Sequence, residues 1–242
     1  MKCVAIIPAR YASTRFPGKP LVEIKGKSMI SRVYQQVKGC ASVHRVIIAT
    51  DDERIFSHCL SFDAEVIMTS AHHPSGTDRC HEVANLLDLS SDDVVVNIQG
   101  DEPFIHPDQI EQVISVIRNP TVSIATLIRK VTSVHELNSS DIPKVVVDSS
   151  GSALYFSRFP IPFVRDVAAD SGVIYWRHLG LYAYKVNALH AITDLKPSML
   201  ERSEALEQLR WLENGWKIHT AITTLPSWAV DTPEDLKNLP DF

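Results

Sequence analysis

Three cationic side chains lie within ten residues of one another, just after the first apolar run of the chain. Arg10, Arg15 and Lys19 belong to the segment 8–20, which also contains Ser13. Guanidinium and ammonium groups with nearby hydroxyl and loop amide donors suit the oxygens of a phosphate chain. The segment contains neither G-x-x-x-x-G-K-[ST] nor G-x-G-x-x-G, which disfavours a P-loop NTPase and a dinucleotide-binding dehydrogenase. A loop whose charges face water is an equally good interpretation of these residue types alone.

Two carboxylates could hold a divalent cation against such phosphates. Asp101 follows the apolar run 93–98, and Gly100 before it permits close approach of a ligand. Asp231 offers a second carboxylate near the C-terminus. Hard cations such as Mg²⁺ prefer carboxylate oxygens. Both residues also have a structural interpretation, since Gly-Asp-x-Pro is favourable turn chemistry and Asp231 could cap a short helix at 232–235.

The elements that must position these residues alternate between strands and helices. Short runs rich in β-branched residues predict strands at 3–7, 45–49, 64–68 and 93–98. Helical spacing between them predicts helices at 28–39, 52–60 and 78–88. This alternation predicts an α/β fold with a doubly wound, mostly parallel sheet.

The polar segments follow strands at the edge where such sheets bind ligands. Ligands of open α/β sheets lie at the carboxyl ends of the strands. The segments after residues 7 and 98 carry the cations and Asp101, and the segment 75–79 after the third strand adds hydroxyls, a glycine and Arg79. We therefore expect these segments to meet in one crevice.

The second half of the chain is less regular. Strands are predicted at 122–128, 144–148, 152–156, 174–184 and 217–223, with a loop at 159–173. Ser198 and Glu201 form a possible capping box for a helix that runs to about Asn214, with Gly215 following it. We expect a single domain over residues 1–242 with an inserted lobe at about 130–200.

Composition excludes several classes of protein. A net charge of −5 disfavours a general nucleic-acid binder. The sequence has no run of about 18 apolar residues, the length needed to span a membrane. The N-terminal apolar run is too short for a signal peptide, so we expect a cytoplasmic protein. The four cysteines lie far apart without a C-x-x-C pair, which indicates free thiols rather than a zinc site or a disulfide framework.

Eight motifs follow one another between residues 4 and 236. They are IPARYASTRFPGKPL, ATDDERI, SGTDR, VVVNIQGDEP, ALYFSR, RHLGLYAY, LEQLR and VDTPEDL. In this order they resemble the motifs of the CMP-Kdo synthetase family, which activates 3-deoxy-D-manno-octulosonate (Kdo). The resemblance implies a nucleotide-diphospho-sugar-transferase-like fold and a homodimer formed through the smaller lobe. It implies a magnesium-dependent reaction of CTP with Kdo that gives CMP-Kdo and pyrophosphate, a step of lipopolysaccharide biosynthesis.

The resemblance also implies roles for individual residues. As catalytic residues it points to Arg10, Lys19 and Asp101, and as ligands of one or two magnesium ions to Asp101 and Asp231. For the nucleotide it points to Ala9, Arg10, Ser13, Arg15, Lys19, Ser75, Arg79 and Gln99. For the acidic sugar it points to Arg158, Arg165, His178, Tyr182, Glu207 and Gln208. His178 need not act as a base, because a metal can lower the pKa of the attacking hydroxyl.

Two alternatives stay open at this point. The chain departs from the family pattern at Trp228-Ala229, before Lys144 and in the region 163–175, all bordering the sugar side. The sugar could therefore be an 8-amino analogue of Kdo or a sialic-acid-like nonulosonate. A non-catalytic nucleotide-sensing module on the same fold is the other alternative. The joint presence of the cation segment and both carboxylates argues against it.

Overall fold

The computed structural model describes residues 1–13, 16–165 and 172–239, with the backbone alone at Asn238. The strands are β1 (Cys3–Ala9), β2 (Glu23–Ile24), β3 (Lys27–Ser28), β4 (Arg45–Thr50), β5 (Val66–Met68), β6 (Val94–Asn97), β7 (Ile124–Lys130), β8 (Lys144–Val147), β9 (Ala153–Ser157), β10 (Trp176–Lys185) and β11 (His219–Thr223). The helices are α1 (Met29–Lys38), α2 (Glu53–Leu60), α3 (Gly76–Leu86), α4 (Pro107–Ile117), α5 (Val134–Asn138), α6 (Val186–Thr193), α7 (Met199–Glu204) and α8 (Gln208–Glu213). Short 3₁₀ helices cover Lys19–Leu21 and Pro233–Asn238.

One open sheet organises the chain. Its main path runs β11-β7-β10-β6-β1-β4-β5, and β8 pairs with β10 while β9 pairs with β8. Strand β1 is parallel to β4 and β6, β4 to β5, and β7 to β11, whereas β10 is antiparallel to both β6 and β7. Along the main path β10 is therefore the strand that runs against the others. The predicted α/β fold with a mostly parallel sheet is confirmed.

Helices cover both faces of this sheet. Alternate residues of β1 enter two different cores, Ala5 and Ile7 on one face and Val4 and Ile6 on the other. Helices α1, α2 and α4 contribute to the first core, and α3, α6 and α8 to the second. Strand side chains buried on both faces explain the near-continuous apolar runs of the sequence.

Helix α4 was absent from the sequence-based prediction. Its buried residues Ile110, Val113, Ile114 and Ile117 have the spacing of a helix stripe. Pro107 occupies its first turn, and His106 and Gln109 form a capping box. Both the stripe and the proline could have predicted this helix.

The prediction of one helix from Ser198 to Asn214 was wrong. The capping box of Ser198 and Glu201 does open α7, but Ala205 has a φ of 50°, in the left-handed region, and ends it. A second short helix, α8, then begins at Gln208. The break turns the residues around Glu207 toward α3. A helix pattern does not reveal such a break, because alanine is normally the strongest helix former.

Strands β8 and β9 extend the sheet as an antiparallel pair beyond β10. The bounds of an inserted lobe at about 130–200 stay a prediction. Cys3, Cys40, Cys59 and Cys80 are buried free thiols. Across the described ranges, no helix has the length and apolar character needed to cross a membrane.

Candidate functional site

A cleft with an empty volume of about 870 Å³ opens where β1 and β6 end. It is lined by Pro8, Ala9, Arg10, Ser13, Lys19, Pro20, His73, Pro74, Ser75, Gly76, Arg79, Gln99, Gly100, Asp101 and Asp231. The residues selected from the sequence for nucleotide and metal all line it except Arg15, which lies outside the described residues. Four segments that are distant in the sequence thus meet at the expected edge of the sheet.

The loop after β1 delivers Lys19 to this cleft through a tight turn. The backbone N–H of Gly18 donates to the carbonyl of Tyr11 at 3.0 Å, and Gly18 has a φ of 71°. A Cβ at this position would lie 3.1 Å from the Tyr11 ring, so the turn has little room for another residue. Ser13 lines the cleft, and its hydroxyl accepts the N–H of Phe16 at 3.3 Å. The described residues on both sides of positions 14 and 15 are therefore joined by hydrogen bonds.

The ammonium group of Lys19 lies close to both candidate metal ligands, Asp101 and Asp231. Its Nζ lies 2.7 Å from Oδ2 of Asp101 and 3.4 Å from Oδ1 of Asp231. The side chain of Lys19 is only 14% exposed. The N–H of Val230 donates to the carbonyl of Asp101 at 2.9 Å, which ties the C-terminal segment to the end of β6. Both carboxylates are thus held within reach of one cation.

Asp231 does not cap the C-terminal 3₁₀ helix. Thr232 is the N-cap residue, and Oδ2 of Asp235 accepts the N–H groups of Asp231 and Thr232 at 2.9 and 2.8 Å. Burial alone would raise the pKa of Asp235, but these backbone hydrogen bonds hold it below its usual value. Asp235 therefore accepts the backbone N–H groups at this helix start, and the Asp231 carboxylate lies next to Lys19.

Asp101 and Asp231 fit magnesium as a pair. Nowhere in the described part of the chain do three or more histidine, cysteine or acidic side chains gather as a metal site. Magnesium, however, usually takes only one or two carboxylates together with substrate phosphates and water. Gly100 supports this geometry, because a Cβ there would lie 2.9 Å from the carbonyl oxygen of Pro8. The ends of β1 and β6 could not approach so closely around a larger residue.

Two residues of this region were not selected from the sequence. His73 lines the cleft and hydrogen-bonds Glu82 through Nε2. Burial raises the pKa of Glu102 to about 7, the charge of Asp101 adds to this, and Arg177 opposes it. His73 lies just before the SGTDR motif and Glu102 lies within VVVNIQGDEP, and these positions were the available signal.

The start of α3 forms another wall of the cleft. Ser75 is its N-cap residue and accepts the N–H of Asp78 at 3.2 Å. Arg79 is buried, with Nη2 at 3.4 Å from Oδ2 of Asp51 and Nη1 hydrogen-bonded to the hydroxyl of Thr69. Its guanidinium is therefore held by the protein while it lines the cleft.

None of the residues expected to bind the sugar is among the described residues that line the cleft. Oε1 and Oε2 of Glu207 accept hydrogen bonds from the hydroxyls of Ser75 and Thr77 at 2.9 and 2.8 Å. Burial raises the pKa of Glu207, whereas these two hydroxyls lower it. Gln208 is buried, and its Nε2 has no hydrogen-bond partner among the described residues. This amide is a donor that the protein itself leaves unsatisfied.

His178 and Tyr182 belong to a buried aromatic cluster on β10. Their ring centroids are 5.2 Å apart, and Tyr182 lies 5.2 Å from Trp211. Nε2 of His178 hydrogen-bonds the hydroxyl of Thr126 at 2.9 Å. Burial, and then the charge of Arg177, lower the pKa of His178 to about 3, and burial raises that of Tyr182 well above its usual value. The imidazole is neutral at neutral pH.

The two arginines expected on the sugar side have different environments. The guanidinium of Arg158 donates to the carbonyls of Glu204, Ser140 and Ala205 at 2.6, 2.8 and 3.1 Å. Arg165 is exposed in the loop after β9.

Gln99 links the cleft to strand β10, which carries His178 and Tyr182. It lines the cleft, and its Nε2 donates to the carbonyl of Gly180 on β10 at 3.3 Å.

Comparisons with known proteins identify relatives of this chain. The family model for cytidylyltransferases matches residues 4–218. The 3-deoxy-manno-octulosonate cytidylyltransferase of Cytophaga hutchinsonii is 50% identical over 237 residues, which cover 96% of this chain and 94% of that protein. Its namesake in Bacteroides thetaiotaomicron is 48% identical, covering 100% of this chain and 98% of that protein.

Solved structures show the same fold. A CMP:2-keto-3-deoxy-manno-octonic acid synthetase complexed with CTP superposes with a TM-score of 0.91 at 40% identity, covering 98% of this chain and 96% of that one. A cytidylyltransferase from Leptospira borgpetersenii shares the fold alone, with a TM-score of 0.63 at 15% identity over 97% of this chain and 83% of that one. This chain belongs to the 3-deoxy-manno-octulosonate cytidylyltransferase family.

Proposed function

We propose that this chain transfers CMP from CTP to Kdo and releases pyrophosphate, which activates the sugar for lipopolysaccharide biosynthesis. The observation that carries the proposal is the convergence of Arg10, Lys19, Asp101 and Asp231 in one cleft at the carboxyl edge of the sheet. The relatives reported above are named for this activity. The anomeric hydroxyl of Kdo attacks the α-phosphorus in line, the bond to the β-phosphate oxygen breaks, and the hydroxyl proton is lost to solvent.

The protein acts on this reaction by positioning and charge neutralisation. Nucleotidyl transfer needs little covalent help from side chains. Arg10 and Lys19 neutralise the triphosphate and the charge that builds on the leaving pyrophosphate, with Arg15 as a further cation of the same segment. Ser13 and the loop amides orient the phosphates, and Gln99 lies between the nucleotide and the sugar side.

Asp101 and Asp231 are the residues that would hold magnesium. Their support is the pair of carboxylates on one cation, in a cleft that also carries phosphate-binding groups. Bound magnesium would neutralise phosphate charge and lower the pKa of the attacking hydroxyl. The chain's own part is to hold both carboxylates at the mouth of the triphosphate pocket.

Sugar recognition falls to residues on β10 and around α8. The buried Nε2 of Gln208 is an unused donor, and the Glu207 carboxylate accepts hydrogen bonds from hydroxyl groups. A polyhydroxy acid requires both a donor and an acceptor. Burial lowers the pKa of His178 to about 3, so its ring is a weak base and suits orientation rather than general base catalysis. Tyr182 packs beside it, and Arg158 and Arg165 supply positive charge for the sugar carboxylate.

We further propose a cytoplasmic homodimer. CTP is a cytoplasmic metabolite, which sets the compartment of the reaction. Strand β9 and its following loop expose Leu154, Phe159 and Phe163, which are 61%, 75% and 85% exposed. Apolar side chains this exposed suit a surface that a second copy covers. Light scattering should give twice the chain mass.

Pyrophosphate release from CTP tests the substrate assignment. With magnesium present, we expect release to require Kdo and to stay near background without a sugar. The 8-amino analogue of Kdo and a nonulosonate form the comparison arms. Faster turnover with either analogue would reassign the sugar, and sugar-independent or absent turnover would refute the proposed reaction.

A further inference from the structure

The ammonium of Lys19 takes the position of a counter-ion between two carboxylates. It lies 2.7 Å from Oδ2 of Asp101 and 3.4 Å from Oδ1 of Asp231, in a side chain that is 14% exposed. Both carboxylates line the cleft on which the proposed function rests. The carboxylates that would ligate a divalent cation are thus already neutralised in part by a side chain of the protein.

We propose that Lys19 and a divalent cation compete for Asp101 and Asp231, so that tight cation binding requires the triphosphate to draw the ammonium away. This inference rests on the proposed function for the presence of a triphosphate in the cleft. It adds an order to the binding events, since the nucleotide prepares the cation site. It also gives Lys19 a second role besides neutralising phosphate charge.

Two cations cannot share these oxygens at ordinary ligand distances. A magnesium ion lies about 2.1 Å from each carboxylate oxygen that it binds. An ammonium already in contact with the same oxygens would lie close to that ion, and the repulsion is stronger in a partly buried cleft than in water. The ammonium must therefore leave before both carboxylates can bind the ion.

Lys19 can move, whereas the backbone that carries the two carboxylates is held by hydrogen bonds. Lysine carries its charge on a flexible four-carbon stem with three rotatable donors. The backbone of Asp101 is tied to Val230, and the capping contacts of Asp235 hold the backbone N–H of Asp231. Arg10 and Ser13 line the same cleft and mark where phosphate oxygens would offer Lys19 another partner. On the side of Lys19, the exchange requires a rotation of its side chain.

Manganese titration, followed by the electron paramagnetic resonance signal of the free ion, tests the competition without turnover. In the absence of CTP we expect Lys19→Met to bind Mn²⁺ roughly tenfold more tightly than the unsubstituted protein, because its competitor is gone. Lys19→Arg keeps the charge and should remain within about twofold of the unsubstituted protein. Lys19→Gln replaces the methionine variant if that variant does not fold.

Arg10→Met is the control for general electrostatics. Arg10 lines the same cleft but is exposed, so its charge is screened by solvent and salt. We expect its loss to change Mn²⁺ affinity by no more than about twofold. An equal gain in Arg10→Met and Lys19→Met would overturn the proposal, and so would a Lys19→Met protein that binds Mn²⁺ no more tightly than the unsubstituted one.

The reciprocal measurement uses CTP and a chelator in calorimetry. Asp101→Asn should release Lys19 toward the triphosphate and tighten metal-free CTP binding several-fold. In the Lys19→Met background the same substitution should give a clearly smaller gain. Equal gains in both backgrounds would contradict the exchange and leave simple repulsion as the cause. Failure of the proposed function would look different, because the unsubstituted protein would then not bind CTP with or without metal.

Discussion

The side chains assigned to the nucleotide and the sugar differ in whether their hydrogen-bonding groups already have partners within the protein. The guanidinium of Arg158 already donates to three carbonyls, and Arg79 is held by Thr69 and Asp51. The buried Nε2 of Gln208, by contrast, has no partner in the described part of the chain. A satisfied group must give up its hydrogen bonds before it can serve a ligand, whereas an unsatisfied donor gains from one. Gln208 is therefore a strong candidate for a direct contact with the sugar.

Replacing Gln208 should affect the sugar and spare the nucleotide. We expect Gln208→Ala to raise the KM for Kdo roughly tenfold, because one hydrogen bond to a buried donor is lost. Affinity for CTP should change little, since Gln208 does not line the cleft. Steady-state kinetics with each substrate varied in turn gives both values. A variant that loses CTP affinity and keeps its KM for Kdo would show that this amide contacts the nucleotide rather than the sugar.

At the scale of secondary structure, a periodic apolar stripe allowed prediction of α1, whereas α4 has such a stripe and was missed. Helix α1 was predicted from its stripe of Ile30, Val33, Tyr34 and Val37, which is buried as expected. The break between α7 and α8 was not predicted, because Ala205 adopts a left-handed conformation that alanine rarely takes. This break places Glu207 against Ser75 and Thr77 at the start of α3. A conformation imposed by long-range contacts has no local signal.

The strained conformation of Ala205 gives a test at this scale. Ala205→Gly should raise the free energy of unfolding by up to about 1 kcal/mol, since glycine adopts a positive φ without a steric cost. Ala191 lies within α6, so Ala191→Gly should lower the same free energy by about 1 kcal/mol. Urea unfolding of both variants measures the two changes. A loss of stability in both would show that Ala205 is not strained.

For the molecule as a whole, the sheet topology determines which distant segments of the chain come together. The carboxyl edge of the parallel strands was predicted to gather the cation segment, the segment 75–79 and Asp101, and these do line one cleft. The antiparallel course of β10, and the pairing of Asp101 with Val230, join parts of the chain that are distant in sequence. Local patterns carry no information about such contacts. The shared contact of Lys19 with both carboxylates was unpredictable for the same reason.

Folding stability should fall in mild acid because of His178. Its pKa is about 3 in the folded chain, against 6.5 for an exposed histidine. Above pH 6.5 neither state is protonated, so the residue has no effect on the pH dependence of stability. Below it the unfolded chain takes up a proton that the folded chain refuses, which costs roughly 2 kcal/mol of stability at pH 5.

Comparison with His178→Gln isolates this contribution from that of the carboxylates. The unfolding free energy of the unsubstituted protein should drop between pH 7 and pH 5 by roughly 2 kcal/mol more than that of the variant. Urea unfolding at the two pH values supplies the numbers. An identical drop in both proteins would mean that His178 is protonated in the folded state.

The central claim is that the cleft holding Lys19, Asp101 and Asp231 is the catalytic centre, and Asp101→Asn tests it most directly. The substitution keeps the shape of the side chain and removes a full negative charge from the proposed metal site. CMP-Kdo formation should be measured across a magnesium titration, with the melting temperature followed in parallel. We expect an unchanged fold and a kcat lowered roughly a thousandfold, because charge stabilisation by a bound metal is worth several kcal/mol. A folded Asp101→Asn protein that turns over at a near-normal rate at low magnesium would contradict the account and leave Asp101 as a turn residue.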